Sequence, residues 1–169
     1  MTSPGARADQ TPDELTVVRD AIATLAHLPG ALLPMLHAVQ DRLGHVPEAA
    51  VPLLAEALNL SRAEVHGVLS YYHHFRSSPP GRHIVQVCRA EACQARGAEA
   101  LWAQACERLG CADDRHGSTR ADGAVTLLPV YCLGLCASSP AMAVDERVHG
   151  RVSAERFERL VASLPGLEG

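Results

Sequence analysis

The chain has 169 residues, 47% of them apolar and only 4% aromatic, with a formal net charge of −4. That is enough apolar side chain to bury a core for one ordinary domain or two small ones, filled mainly by Leu, Val and Ala. A negative balance argues against a nucleic-acid backbone as partner, which requires a basic face, and no stretch approaches the roughly 20 apolar residues that span a bilayer.

The first residues, MTSPGARADQTPDE, show no charged-then-apolar signal pattern and turn acidic where an organelle presequence would stay basic. A cytoplasmic chain with a flexible start at 1–11 is expected. In such a compartment the six cysteines are not a disulfide framework. A helix is predicted from Thr11, with Pro12 in its first turn, Glu14 completing a capping box, and Leu15, Val18, Ile22 and Leu25 at helical spacing. A second helix is predicted from about Pro34 to Gly44, and a third from about Glu48 to Leu58, with Asn59 as its terminator. SRAE at 61–64 is another capping box, opening a fourth helix through Val65, Val68, Leu69 and Tyr72. Residues 12–75 therefore read as a small helical bundle.

RSSPPG marks a break in composition, and 76–82 reads as a linker. Beyond it HIVQV (83–87) reads as a strand and 94–109 as a helix with Ala98, Leu101, Trp102, Ala105 and Leu109 inward. CADDRHGSTRADG (111–123) reads as polar connection. VTLLPVY (125–131) and PAMAV (140–144) read as strands, DERVHGRV as a hairpin, and Ser153 as the cap of a last helix with Phe157, Leu160, Val161 and Leu164 on its apolar stripe. The order β-α-β-β-α over residues 83–169 predicts an α/β, thioredoxin-like sandwich.

The chemistry lies in the cysteines. Cys88 and Cys93 form C-x4-C, and Cys132 and Cys136 form C-x3-C, each pair just beyond a predicted strand. Strands that end at the same side of a sheet bring such loops together. Four thiolates in two pairs are the donor set of a [2Fe–2S] centre, two to each iron. Gly134 leaves the second loop free to turn and aim amides at sulfur. Structural zinc is the main competitor, although neither pair is a C-x2-C knuckle; a dithiol redox enzyme would carry C-x2-C at the helix start. Cys106 and Cys111 also form C-x4-C, but Cys106 shares a stripe with Trp102 and Leu109, so both are expected to be non-ligands. His73 and His74 end the fourth helix and are not needed as ligands. Tyr71, Tyr72 and Phe75 are expected to present one side to the core and the other to a partner. Arg89 and Glu91 lie between the first two thiols. If Arg89 acts by its charge, Arg89→Glu lowers the reduction potential; if both side chains face solvent, their charges are screened.

Residues 44–88, GHVPEAAVPLLAEALNLSRAEVHGVLSYYHHFRSSPPGRHIVQVC, and 132–152, CLGLCASSPAMAVDERVHGRV, resemble the 24-kDa-subunit-like family of NADH dehydrogenases. These are thioredoxin-like [2Fe–2S] ferredoxins, with relatives in NAD-reducing hydrogenases and soluble NAD-dependent formate dehydrogenases. The resemblance rests on GV-x-S-x-Y-x2-F at 67–75, Pro80-Gly81, the strand into Cys88 and the second cysteine motif, and covers roughly 12–165. It implies a small N-terminal helical domain followed by a ferredoxin domain, with one [2Fe–2S] cluster on Cys88, Cys93, Cys132 and Cys136. It also implies electron transfer beside a partner subunit that holds FMN and binds NAD, since nicotinamide gives up a hydride while such a cluster accepts one electron. CRAEACQ looks most like the gamma subunit of formate dehydrogenase, which adds an expected molybdenum or tungsten catalytic subunit, or a further iron–sulfur subunit, to the partners. The equivalent subunits of NADH:quinone oxidoreductase and of NAD-reducing hydrogenase are the alternatives. No nucleotide-binding fingerprint or catalytic acid–base pair is found on the chain itself.

Overall fold

The structure, a computed structural model, describes residues 13–114 and 116–167. The expected loose start at 1–11 and the Thr11–Pro12 cap lie outside them. The chain divides between Pro79 and Pro80 into two compact units.

The first unit is four helices: α1 (Glu14–Leu25), α2 (Leu32–Leu43), α3 (Ala50–Leu58) and α4 (Arg62–Tyr71). Asp13 caps α1 in place of the expected Thr11. Its carboxylate accepts the Thr16 amide at 3.2 Å and the Thr16 hydroxyl at 2.7 Å, so Glu14 opens the helix rather than closing a capping box. Helix α2 starts two residues before Pro34, which the first turn tolerates because an amide there has no partner to lose. Gly44 (φ 78°) and Asn59 (φ 52°) end α2 and α3 in the left-handed conformation. At α4 the box is closed from both sides: the Glu64 amide donates to Ser61 Oγ at 3.2 Å and the Ser61 amide to the Glu64 carboxylate at 2.8 Å. Val18, Met35, Leu36, Val39, Leu54 and Val65 form the core. Buried Gln40 holds the segment after α4, donating to the His74 carbonyl at 2.9 Å and accepting the Arg76 amide at 2.8 Å.

The second unit runs β1 (His83–Cys88), α5 (Glu91–Gln94), α6 (Ala98–Leu109), β2 (Ser118–Thr119), β3 (Val125–Val130), β4 (Met142–Val144), β5 (Arg147–His149) and α7 (Ala154–Ala162). Its sheet has the order β2-β3-β1-β4-β5, with β1 and β3 parallel and the other pairs antiparallel. Val85, Val87, Leu127 and Met142 from the sheet share one core with Leu101, Trp102 and Leu109 of α6 and Phe157 and Val161 of α7.

Two expectations are corrected here. The helix predicted over 94–109 starts only at Ala98, after the separate short α5 has ended at Gln94, because Gly97 sits at φ 90°, a conformation that a right-handed helix cannot carry through. The segment 111–123, read as pure connection, contains the edge strand β2. Two residues are too few to show an alternation; what identifies them is tertiary, the antiparallel pairing of Ser118 and Thr119 with Leu127 and Thr126, where the Thr119 and Thr126 hydroxyls also bond at 2.7 Å. Thr126 also accepts the Gly81 amide at 2.7 Å, where the chain enters this unit.

The backbone approach at Gly81 yields a paired prediction. A Cβ there would lie 2.7 Å from the Val125 carbonyl carbon, whereas one at Gly67, inside α4, would meet nothing within 4 Å. Gly81→Ala is expected to destabilise by about 1–3 kcal/mol through overpacking, and Gly67→Ala to stabilise by about 0.5–1 kcal/mol through helix propensity. Urea unfolding of the two variants checks the opposite signs.

Candidate metal centre

Parallel strands end at the same side of their sheet. Cys88 is the last residue of β1 and stands in register with Val130, the last of β3. The loop carrying Cys93 and the loop carrying Cys132 and Cys136 therefore leave the sheet side by side. Two main-chain bonds fix them: the Arg89 amide donates to the Val130 carbonyl at 2.7 Å, and the Cys88 amide to the Ala141 carbonyl at 3.0 Å. The chain leading into β4 thus forms a third wall.

The first pair is buried. Cys88 and Cys93 are each 2% exposed, in a small apolar cluster with Ala98 and Ala141, against which Ala90, Val130, Leu133 and Leu135 pack. The second pair faces outward. Its sulfurs lie 3.8 Å apart without a disulfide, and the Gly134 amide donates to the Cys132 sulfur at 3.3 Å. Gly134 supports that turn at φ 75°, and Cys132 itself is held at φ 146°. A side chain at such a φ carries local strain of about 1–3 kcal/mol, which persists only where the surroundings determine it and is concentrated at functional sites.

The thiols feel one another across the two loops. Burial pushes Cys93 above the ordinary thiol range, as do its bond to the Cys88 sulfur and the charges of Cys88 and Cys136, while the Ala141 amide pulls the other way. Cys136 is raised by its bond to Cys132 and by the Cys132 charge, then by desolvation and by Cys88. Four thiolates in this space repel and must be neutralised together, which a cationic metal core does. Among the described residues no three His, Cys, Asp or Glu side chains are gathered for a single ion. The donors come as two pairs, the arrangement that supplies two thiolates to each of two irons.

Cys106 and Cys111 do not belong to this group. Cys111 is buried in the main core of the unit and Cys106 packs against it, where burial, then Asp113 and Cys111, raise the Cys106 thiol. His73 and His74 lie in the helical unit; His73 Nδ1 is 2.9 Å from the Tyr71 carbonyl oxygen and the His74 ring is 5.4 Å from that of His37. The alternative of an Arg89 screened in solvent is corrected: its side chain is 21% exposed, paired with Glu99 and laid over Trp102. Glu99 lies ten residues along the chain, outside any local spacing rule, and sequence reasoning missed it. Tyr131, at the mouth of the second loop, is 63% exposed. Beside Cys136 opens a cleft of about 660 Å³, bordered by Arg96, Gln104, Pro140 and Arg151.

A family model described as thioredoxin-like [2Fe-2S] ferredoxin matches residues 18–165. The E component of the NADH-quinone oxidoreductase of Pseudomonas aeruginosa, one of that enzyme's subunits, is 37% identical over 131 residues, 78% of this chain and 77% of that protein. Its counterpart E 2 in Rhizobium meliloti is 33% identical over 157 residues, 91% of this chain and 92% of that one. Among solved structures, an NAD+-reducing [NiFe]-hydrogenase in the air-oxidised state superposes with a TM-score of 0.65 at 25% identity, covering 82% of this chain and 23% of the hydrogenase chain.

The contrast in burial predicts an order of chemical access. In the metal-free chain, Cys132 and Cys136 are expected to be alkylated by iodoacetamide well before Cys88, Cys93 and Cys111. Peptide mass spectrometry after brief labelling reads the order; equal rates at all five would contradict a buried first pair.

Proposed function

The chain belongs to the thioredoxin-like [2Fe–2S] ferredoxin family, and we propose that it is the one-cluster electron-transfer subunit of an NAD-linked dehydrogenase complex, with Cys88, Cys93, Cys132 and Cys136 as the ligands. The observation that carries the ligand set is the meeting of two cysteine loops at the ends of the parallel pair β1 and β3. The cluster supplies a centre that takes and returns one electron.

The chain's own residues supply the setting. Cys88 and Cys93 anchor one half of the site in an apolar pocket that excludes water, while Cys132 and Cys136 place the other half toward the surface, where a partner can approach closely. The Gly134 amide, bonded to the Cys132 sulfur, withdraws charge from that thiolate and so favours the reduced state.

In this reading residues 83–169 are the cluster domain, residues 12–75 a docking domain, and 76–82 the joint. Within the helical unit Phe75 is buried, while Tyr71 and Tyr72, their rings 5.1 Å apart, are 75% and 43% exposed. Exposed aromatics of this kind are common anchors of protein interfaces. The partner is a subunit that holds FMN and binds NAD. No described helix is long and apolar enough to cross a membrane, and a cytoplasmic position is part of the same proposal.

The relatives named above favour the NADH:quinone oxidoreductase and NAD-reducing hydrogenase alternatives over the formate dehydrogenase gamma subunit that CRAEACQ points to. A molybdenum or tungsten partner draws no support from them. The chain corresponds to less than a quarter of the hydrogenase chain, so that enzyme's whole activity is not carried over.

Material purified from its own host without air is expected to contain iron and acid-labile sulfide in equal amounts, and a flavoprotein that NADH reduces. Cys88→Ser and Cys136→Ser should lose or strongly alter the visible spectrum, and Cys106→Ser should leave it unchanged. Zinc in place of iron would defeat the proposal. Reduction of the native complex by formate would return it to the formate dehydrogenase alternative.

A further inference from the structure

Arg89 follows the first thiol directly, and its contacts reach the end of β3, the turn that carries Cys93, and α6. Its amide donates to the Val130 carbonyl at 2.7 Å, at the end of the strand that feeds the second cysteine loop. Its carbonyl accepts from Gln94 Nε2 at 3.0 Å, closing the turn that carries Cys93. Its guanidinium crosses to α6, where Nε donates to Glu99 at 3.0 Å, a second N–H donates to the other carboxylate oxygen, and the central carbon lies 4.9 Å from the centre of the Trp102 ring. The Trp102 indole is itself fixed by a 2.6 Å bond to Asp113. A planar guanidinium held by two parallel bonds and a stacked ring has little freedom to move.

This arrangement changes what the cation can do. Glu99 neutralises it, and Asp113 adds a negative charge behind the indole, so Arg89 does not stand as a free positive charge beside the sulfurs. We propose that Arg89 is a positioning residue: with Glu99 and Trp102 it clamps the Cys88–Cys93 loop to α6, and cluster retention depends on this geometry rather than on the arginine's charge. The proposal rests on Cys88 and Cys93 being ligands. Groups that orient ligands from behind are worth roughly 10- to 100-fold in metal affinity in other sites. Lysine cannot replace the clamp, since it offers neither the paired donors nor the flat face.

The test uses the full chain carrying its cluster, prepared without air, as wild type, Arg89→Gln, Arg89→Lys, Glu99→Gln and the double variant Arg89→Gln/Glu99→Gln. Cluster loss to an iron chelator is followed by bleaching, the midpoint potential by redox titration, and the reduced cluster by electron paramagnetic resonance. A clamp predicts that all three single variants release the cluster roughly tenfold faster or more. It also predicts that the double variant is no worse than either glutamine variant, and that both glutamine variants alter the resonance spectrum alike. Glu99 is half exposed, so Glu99→Gln tests the clamp with little risk to the fold. A role through charge predicts the reverse: release rates near wild type, a potential that falls in Arg89→Gln and rises in Glu99→Gln, and a normal Arg89→Lys. Either those opposed shifts without faster release, or full rescue by lysine, would overturn the clamp. A wild-type chain that holds no iron would instead remove the ligand assignment on which the clamp rests.

Discussion

The parallel pairing of β1 with β3 is the constraint on which the rest of the site depends. Cys88 and Cys132 are 44 positions apart in sequence, yet the register that places Cys88 opposite Val130 brings their loops out together. An antiparallel pairing of the same two strands would send the loops to opposite ends of the sheet. The central place of β1, with β3 on one side and β4 on the other, adds the Ala141 wall at no cost in exposed strand edge. Packing in the main core, from Val85 and Leu127 to Phe157, therefore serves the site indirectly by holding that register, because a slip of one residue would turn every inward side chain outward.

The two thiol pairs divide two needs that conflict. A metal core surrounded by four thiolates is best retained where water is excluded, but an electron donor or acceptor must approach closely. With the four cysteines as the proposed ligands, burial of Cys88 and Cys93 meets the first need and exposure of Cys132 and Cys136 the second. The strained Cys132 backbone, with the left-handed Gly134 two residues on, belongs to the exposed half, where the sulfur itself is not buried and the chain's own turn aims it.

Much of this was legible in the sequence because it is governed by local rules. Ser61 with Glu64, Gly44, Asn59 and Ser153 mark helix ends through the bonds and backbone angles they permit, and the structure places each in that role. The positions of the cysteine pairs at strand ends likewise needed only period-two patterning and the change to polar loops, although Cys88, expected just past β1, is its last residue. The failures have a common cause. The cap on α1 moved to Asp13 because two residues only two positions apart, Thr11 and Asp13, could serve as cap. Strand β2 is too short to carry a period, and the left-handed angle that delays α6 at Gly97 leaves no mark in the apolar spacing, which begins at Ala98. Arg89 was readable as a charge but not as a paired charge, because Glu99 and Trp102 meet it only once α6 has docked. Local sequence shows which groups are present; tertiary packing decides whether a charge is free.

The use of aromatic residues carries the same logic to the surface. The chain has one Trp, two Phe and three Tyr. Trp102, Phe75 and Phe157 are buried, while Tyr71, Tyr72 and Tyr131 are all exposed to a large extent. A chain this poor in large side chains fills its cores with Val, Leu and Ala, where a buried aromatic would remove more apolar surface from water than any of them. Leaving every tyrosine outside is therefore not a matter of surplus. A phenol combines apolar area with a polar tip and loses little conformational freedom when covered, which suits it to a surface that is wet in the free chain and dry in a complex. Tyr131 adjoins the exposed thiol pair, and Tyr71 and Tyr72 close the helical unit just before its last buried aromatic, Phe75. The placement of these three side chains fits the proposal that neighbouring subunits complete this surface.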